Sequence, residues 1–107
     1  MSLIQQFKTA VLNASASGDN IAVAAVAGQN IKVWKVWLTA AGAVNAVFKD
    51  GASTALSGNL ILPAAGSGFT LFYDGSPHWI TSPGNAFIIN LSGAVAISGE
   101  IYYTVNG

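Results

Sequence analysis

Cysteine and arginine are absent from this chain of 107 residues, and charge of either sign is scarce: four Lys face three Asp and one Glu, for a formal net charge of zero. Each absence removes a class of protein. Without cysteine there is no disulfide framework and no thiolate-held metal. Four scattered lysines cannot supply the clustered positive charge that a phosphate backbone requires, so no nucleic-acid partner is expected. Charged residues make up only 7% of the chain, against about 25% in ordinary soluble domains. The one His and four carboxylates leave few groups from which to build an active site. The reading is therefore non-enzymatic, with no cofactor and no metal, since a zinc site needs about three or four protein ligands.

Long unbroken apolar runs are missing too. Residues 51–73 and 75–99 carry no Lys, Arg, Asp or Glu, but Gly, Pro, Asn and Ser interrupt both. Neither is the run of ~20 apolar residues that a membrane-spanning helix needs. The N-terminus lacks a basic region, and Ala10-Val11-Leu12 is short for a secretion signal, despite the cleavage-like Ala14-Ser15-Ala16. No membrane partner is expected, and the chain reads as soluble where it is made.

What is present is apolar and small. Hydrophobic residues make up 52% of the chain and there are 12 Gly, the opposite of a disordered composition. A folded domain so poor in charge must cover its surface with Ala, Gly, Ser, Thr and Asn. Zero net charge also removes the repulsion that keeps monomers apart. Self-association is the expectation.

The pattern is a series of short β-type runs separated by turn residues. In 94–105, Val95, Ile97, Ile101, Tyr103 and Val105 share one face and Glu100, Tyr102 and Thr104 the other, a period of two that no helix has. Gly99 in the middle predicts a bulge or bend. In 30–40, strict alternation puts Trp34, Val36, Leu38 and Ala40 on a core face, and Ile31, Val33, Lys35, Trp37 and Thr39 on the opposite one. Both faces are then largely apolar, whereas one face of an open antiparallel sheet is normally wet. The second face is expected to be covered by another subunit. Buried interfaces are rich in Trp and Tyr, so Ile31, Val33, Lys35, Trp37 and Tyr102 are the candidate interface residues.

Shorter runs fill the rest. Val44, Ala46 and Phe48 lead into Asp50-Gly51, a hairpin signal. Ile21, Val23 and Ala25 alternate, as do Phe69, Leu71 and Tyr73, and Phe87, Ile89 and Leu91, while Leu60-Ile61-Leu62 stops at Pro63. Phe7, Thr9 and Val11 predict a first strand, although Leu3, Ile4, Phe7 and Val11 would also line one helical face behind a Ser2 cap. By parity Phe7, Trp34, Phe48 and Phe87 belong to the core. Eight or nine strands predict an all-β chain folded as a single antiparallel β-sandwich, jelly-roll-like, with a closed barrel as the other solution. Residues 1–107 form one domain, in which 1–18 is either an arm reaching to neighbours or an ordinary first strand.

Chemistry has one place to hide. Tyr73-Asp74-Gly75-Ser76-Pro77-His78-Trp79 puts Asp, Ser and His within five residues. A catalytic triad draws its members from separated elements, and here they share a turn-rich loop. Tyr73, Asp74, His78 and Trp79 are instead a candidate ligand loop, such as a sugar-stacking platform, with Trp79 plugging one end of the sandwich as the alternative. Asp19, Asp50 and Asp74 each adjoin Gly or Asn, where Asp serves the backbone of a turn.

The ordered motifs resemble a known group. Val26-Ala27-Gly28-Gln29-Asn30-Ile31-Lys32-Val33, Phe48, Leu56-Ser57-Gly58-Asn59-Leu60, Trp79 through Leu91 and the closing Val95 to Tyr103 segment are similar to a pattern in small virion proteins of tailed phages and prophages. The resemblance covers roughly residues 20–105. It implies a compact β-sandwich, often trimeric, on the virion exterior: a capsid decoration or cement protein, or a fibre-associated module. The expected partners are then copies of itself, as a homotrimer, and the major capsid protein or another virion protein, after assembly in the host cytoplasm. A receptor- or glycan-binding fibre tip using the 73–79 loop is the alternative it leaves.

Overall fold

The computed structural model describes residues 7–106, and among them every regular element is a strand. In chain order these are β1 (Lys8–Ala14), β2 (Gly18–Val23), β3 (Asn30–Ala40), β4 (Val44–Asp50), β5 (Thr54–Ala55), β6 (Leu60–Leu62), β7 (Gly68–Leu71), β8 (Trp79–Ile80), β9 (Phe87–Leu91) and β10 (Ile97–Asn106). They form two sheets. The first runs β1-β10-β3-β7, with β8 also on β3; the second runs β2-β9-β4-β5, with β6 also on β4. Every pair is antiparallel. Strand-to-strand alternation puts one face of each sheet inward, so the protein is an antiparallel sandwich around a single core.

That core follows from the period-two runs. Leu12 and Ala14 of β1, Val36, Leu38 and Ala40 of β3, Val44, Ala46 and Phe48 of β4, Phe87, Ile89 and Leu91 of β9, and Ile97 and Ile101 of β10 are all buried. Segment 8–14 is an ordinary strand paired residue by residue with β10. It is neither a helix nor an arm, and residues 1–6 lie outside the described residues. The parity of Phe7 is corrected as well: Leu12 and Ala14 turn inward, so Thr9 and Val11 face out, and Val11 is 78% exposed.

Two bulges revise the strict alternation. The register of β10 against β3 steps from Tyr102–Lys35 to Tyr103–Val33, which leaves Trp34 as an extra residue. Such an insertion places two successive side chains on one side of the strand. Ile31 and Val33 therefore join Val36, Leu38 and Ala40 inside, each fully buried, while Trp34 and Lys35 share the outer face with Trp37. The bulge expected at Gly99 is here instead. In β2 a similar shift between Ile21 and Val23 sends Val23 inward and leaves Ile21 exposed.

The Asp50-Gly51 signal does close a hairpin, with Asp50 paired to Thr54 and Gly51 at φ +64°. Asp50 does more than serve that turn. Its carboxylate, almost buried at the end of the inner face of β4, accepts from the Ser82 amide (3.0 Å), the Ser82 hydroxyl (2.9 Å) and Asn85 Nδ2 (3.0 Å). The loop between β8 and β9 is thereby tied to the far end of β4. Burial works against the charged carboxylate, but the hydrogen bonds from Asn85 and Ser82 outweigh it and hold its pKa below the ordinary value. A lowered folded-state pKa stabilises the fold above the unfolded value, about pH 3.9, and that stabilisation is lost as pH falls through the folded value. Asp50→Ala is expected to cost about 2–3 kcal/mol in urea unfolding at pH 7. Asp50→Asn should flatten the decline in stability below about pH 4. An unchanged acid limb in the Asn variant would show that Asp50 does not drive it.

Candidate functional site

The outer face of the first sheet gathers the aromatic side chains that the core does not use. Trp34 is on this face because of the bulge, yet it is only 7% exposed. Its cover is aromatic: Phe7 meets it edge-on with ring centroids 5.5 Å apart, and Tyr73 lies at 6.0 Å. Phe7 and Tyr73 also touch each other edge to face at 5.5 Å. The indole N–H of Trp34 donates to Thr104 Oγ1 at 2.9 Å, which fixes the orientation of the ring. Tyr102 sits opposite Lys35 across the ladder, and the Lys35 ammonium lies 5.0 Å from the Tyr102 ring centroid, a cation–π contact. Phe7, Trp34, Lys35, Tyr73 and Tyr102 enclose a cup of about 170 Å³.

The face around this cup is greasy and open. Trp37 is 39% exposed and Tyr73 54%. Charge is sparse here: Lys32 and Lys35 come from β3 and Glu100 from β10, whose position along the ladder puts it opposite Trp37. The Glu100 carboxylate pushes the Tyr102 hydroxyl above its ordinary pKa. At neutral pH that tyrosine is uncharged, and the rim of the cup presents one ammonium among rings.

Of the five interface candidates, Lys35, Trp37 and Tyr102 are together on this outer face, whereas Ile31 and Val33 are in the interior for the reason of register given above. Phe7 and Trp34 belong to the face, although parity placed both in the core. A signal for Trp34 was present: the inward apolar set 31, 33, 36, 38, 40 contains one step of three, the spacing a bulge leaves.

The 73–79 loop does not hold its four candidates together. Tyr73 turns to the outer face. The Trp79 ring turns inward and packs at 4.9 Å on Phe48 and 5.8 Å on Phe87. Asp74 accepts from the Ser76 amide at 3.1 Å, a turn contact. His78 Nε2 is 2.7 Å from the Phe72 carbonyl oxygen, which can only accept, so Nε2 carries the proton. The Asp74 carboxylate and the His78 ring are each bonded to nearby backbone. Asp19, by contrast, acts at a distance. It accepts from Asn90 Nδ2 at 2.7 Å and from Lys49 Nζ at 3.1 Å, lacing β2, β9 and β4 on the outer face of the second sheet. The Asn90 hydrogen bond, then Lys49, lowers its pKa. Among the described residues no three His, Cys, Asp or Glu side chains are close enough to hold a metal ion.

The fold and this face define the chain as an all-β sandwich with one aromatic outer surface. No protein-family model, curated protein or solved structure matches it.

Proposed function

We propose that the chain is a non-enzymatic structural protein of a phage virion: a capsid decoration or cement protein that self-associates as a homotrimer through the outer face of its first sheet. The observation that carries the reading is the exposure of Trp37 and Tyr73 on the outer face of the first sheet, where charges are few. Leaving large rings in water forgoes roughly 1.5–3 kcal/mol each, which a mating surface recovers. The strand order supports the jelly-roll reading. With β5 and β6 counted as one interrupted strand and β7 and β8 as another, the sheets order first-eighth-third-sixth and second-seventh-fourth-fifth, the arrangement of two stacked Greek keys.

In this reading three sandwiches stand around a capsid symmetry axis, assembled in the host cytoplasm and bound to the major capsid protein or another virion protein. Many weak contacts, repeated over a shell, become collectively tight. The sequence resemblance supports the virion setting, and the neutral, small-residue surface suits a protein packed among copies.

Light scattering after size exclusion at micromolar concentration is expected to return about three times the 10.9 kDa chain mass. Trp37→Glu, which buries a charge at the interface, is expected to return single chains with an unchanged circular dichroism spectrum. A wild-type protein of 10.9 kDa at every concentration would overturn the assembly reading. Density for this chain in an electron-microscopy map of an intact particle tests the virion setting.

A further inference from the structure

Two Asp-Gly steps occur in the chain, Asp50-Gly51 and Asp74-Gly75, and the fold treats them in opposite ways. An aspartyl side chain is open to attack by the next main-chain nitrogen, most of all before glycine, which has no Cβ to shield that nitrogen. The attack needs a glycine amide free to give up its proton and a carboxyl free to turn onto it. At Asp50-Gly51 neither is free. The Asp50 carboxylate is 7% exposed and held by Ser82 and Asn85. The Gly51 amide donates to the Ala86 carbonyl at 2.9 Å.

At Asp74-Gly75 both are free. Residues 72–76 are all exposed. Among the described residues the Gly75 amide has no hydrogen-bond acceptor, and nothing lies within 4 Å of a Cβ built on Gly75. The Asp74 carboxylate accepts from the Ser76 amide at 3.1 Å, one residue beyond the nitrogen that would attack it. That turn contact folds the carboxyl back across the Asp74–Gly75 peptide.

We infer that Asp74 is a site of spontaneous isomerisation to isoaspartate, from which the fold protects Asp50. The Gly75 nitrogen bonds to Cγ of the protonated Asp74 carboxyl, the Cγ–OH bond breaks, and the hydroxyl leaves with the amide proton as water. A five-membered imide results. Water then opens it at either carbonyl. Cleavage of the N–Cγ bond restores aspartate, whereas cleavage of the bond from nitrogen to the main-chain carbonyl carbon leaves the chain running through Cβ and Cγ. One water is lost and one regained, so the mass is unchanged and no oxidant or reductant takes part. The main chain is longer by one methylene beside Tyr73, a ring that covers Trp34.

The test ages the full chain for weeks at neutral pH and body temperature, then locates isoaspartate by digestion and electron-transfer fragmentation. Isoaspartate is expected at position 74 and to accumulate there about 100-fold or more faster than at position 50, because the hydrogen bonds at Asp50-Gly51 must break first. Deamidation at Asn106-Gly107 changes the mass and is told apart by it. Asp74→Glu, which would have to close a six-membered ring, is expected to leave position 74 unmodified and the circular dichroism unchanged. In urea the two Asp-Gly steps should isomerise at similar rates, since the ties on Asp50 are gone. An aged chain with no isoaspartate at 74, or with as much at 50, overturns the inference. A difference that persists undiminished in urea overturns the protection by the fold.

Discussion

Gly99→Ala is expected to lower the melting temperature by more than about 12 °C, or to prevent folding, because one methyl group has no room there. Gly99 lies in the middle of β10, between Leu12 of β1 and Leu38 of β3. A Cβ built on it falls inside the contact distance of the Trp37 carbonyl oxygen and 2.8 Å from Leu38 Cα. Both are backbone atoms of a strand held on its other side by β7, so no side-chain rotation relieves the overlap. Separating β10 from β3 is the only escape, and it breaks the longest ladder of the sheet. A loss of at least about 3 kcal/mol follows, from a total of roughly 5–15 kcal/mol for a domain of this size. Gly58→Ala is the control: nothing lies within 4 Å of its Cβ position, and its melting temperature should stay within about 2–4 °C of wild type. A Gly99→Ala protein that melts with the control would mean that β10 and β3 are further apart than described.

The second large effect is expected from Phe48→Ala, at about 3–5 kcal/mol in urea unfolding followed by tryptophan fluorescence. Phe48 is fully buried on β4 and stacks on Phe87 of β9, with centroids 5.2 Å apart and planes 3° from parallel. Across the sandwich it meets Trp79 at 4.9 Å and Phe69 at 6.4 Å. These rings come from both sheets, so the truncation opens a cavity where the layers are joined, and the neighbouring backbones cannot close it. Phe48→Leu should cost less than half as much, because most of the volume remains. Phe72→Ala, by contrast, should leave the unfolding of the single chain within about 0.5 kcal/mol of wild type, since it removes an exposed ring. If Phe48→Ala and Phe72→Ala shift the midpoint equally, the division of rings between core and surface is wrong.

Much of the sandwich was legible because a strand writes its faces into its own residues. Val44, Ala46 and Phe48, then Phe87, Ile89 and Leu91, alternate with no irregularity and are buried as that alternation requires. The span of β3 was legible from residues 30–40, and its termini fall at Asn30 and Ala40. Which residues of β3 face outward was harder. A single extra residue at Trp34 reverses the parity of everything before it, and so Ile31 and Val33 exchanged sides with Trp34.

Composition and periodicity determined the all-β class, the spacing of turns and most of the core, because each depends on neighbours within a few positions along the chain. Tertiary structure alone decided where the ladder slips, why Gly99 must have no side chain, that Asp50 ties down Ser82 and Asn85, and that Phe7, Trp34, Tyr73 and Tyr102 close one cup. These depend on the approach of strands far apart in sequence. A residue's own pattern states that it belongs in a strand, but the partner strand sets the register, and register chooses the face.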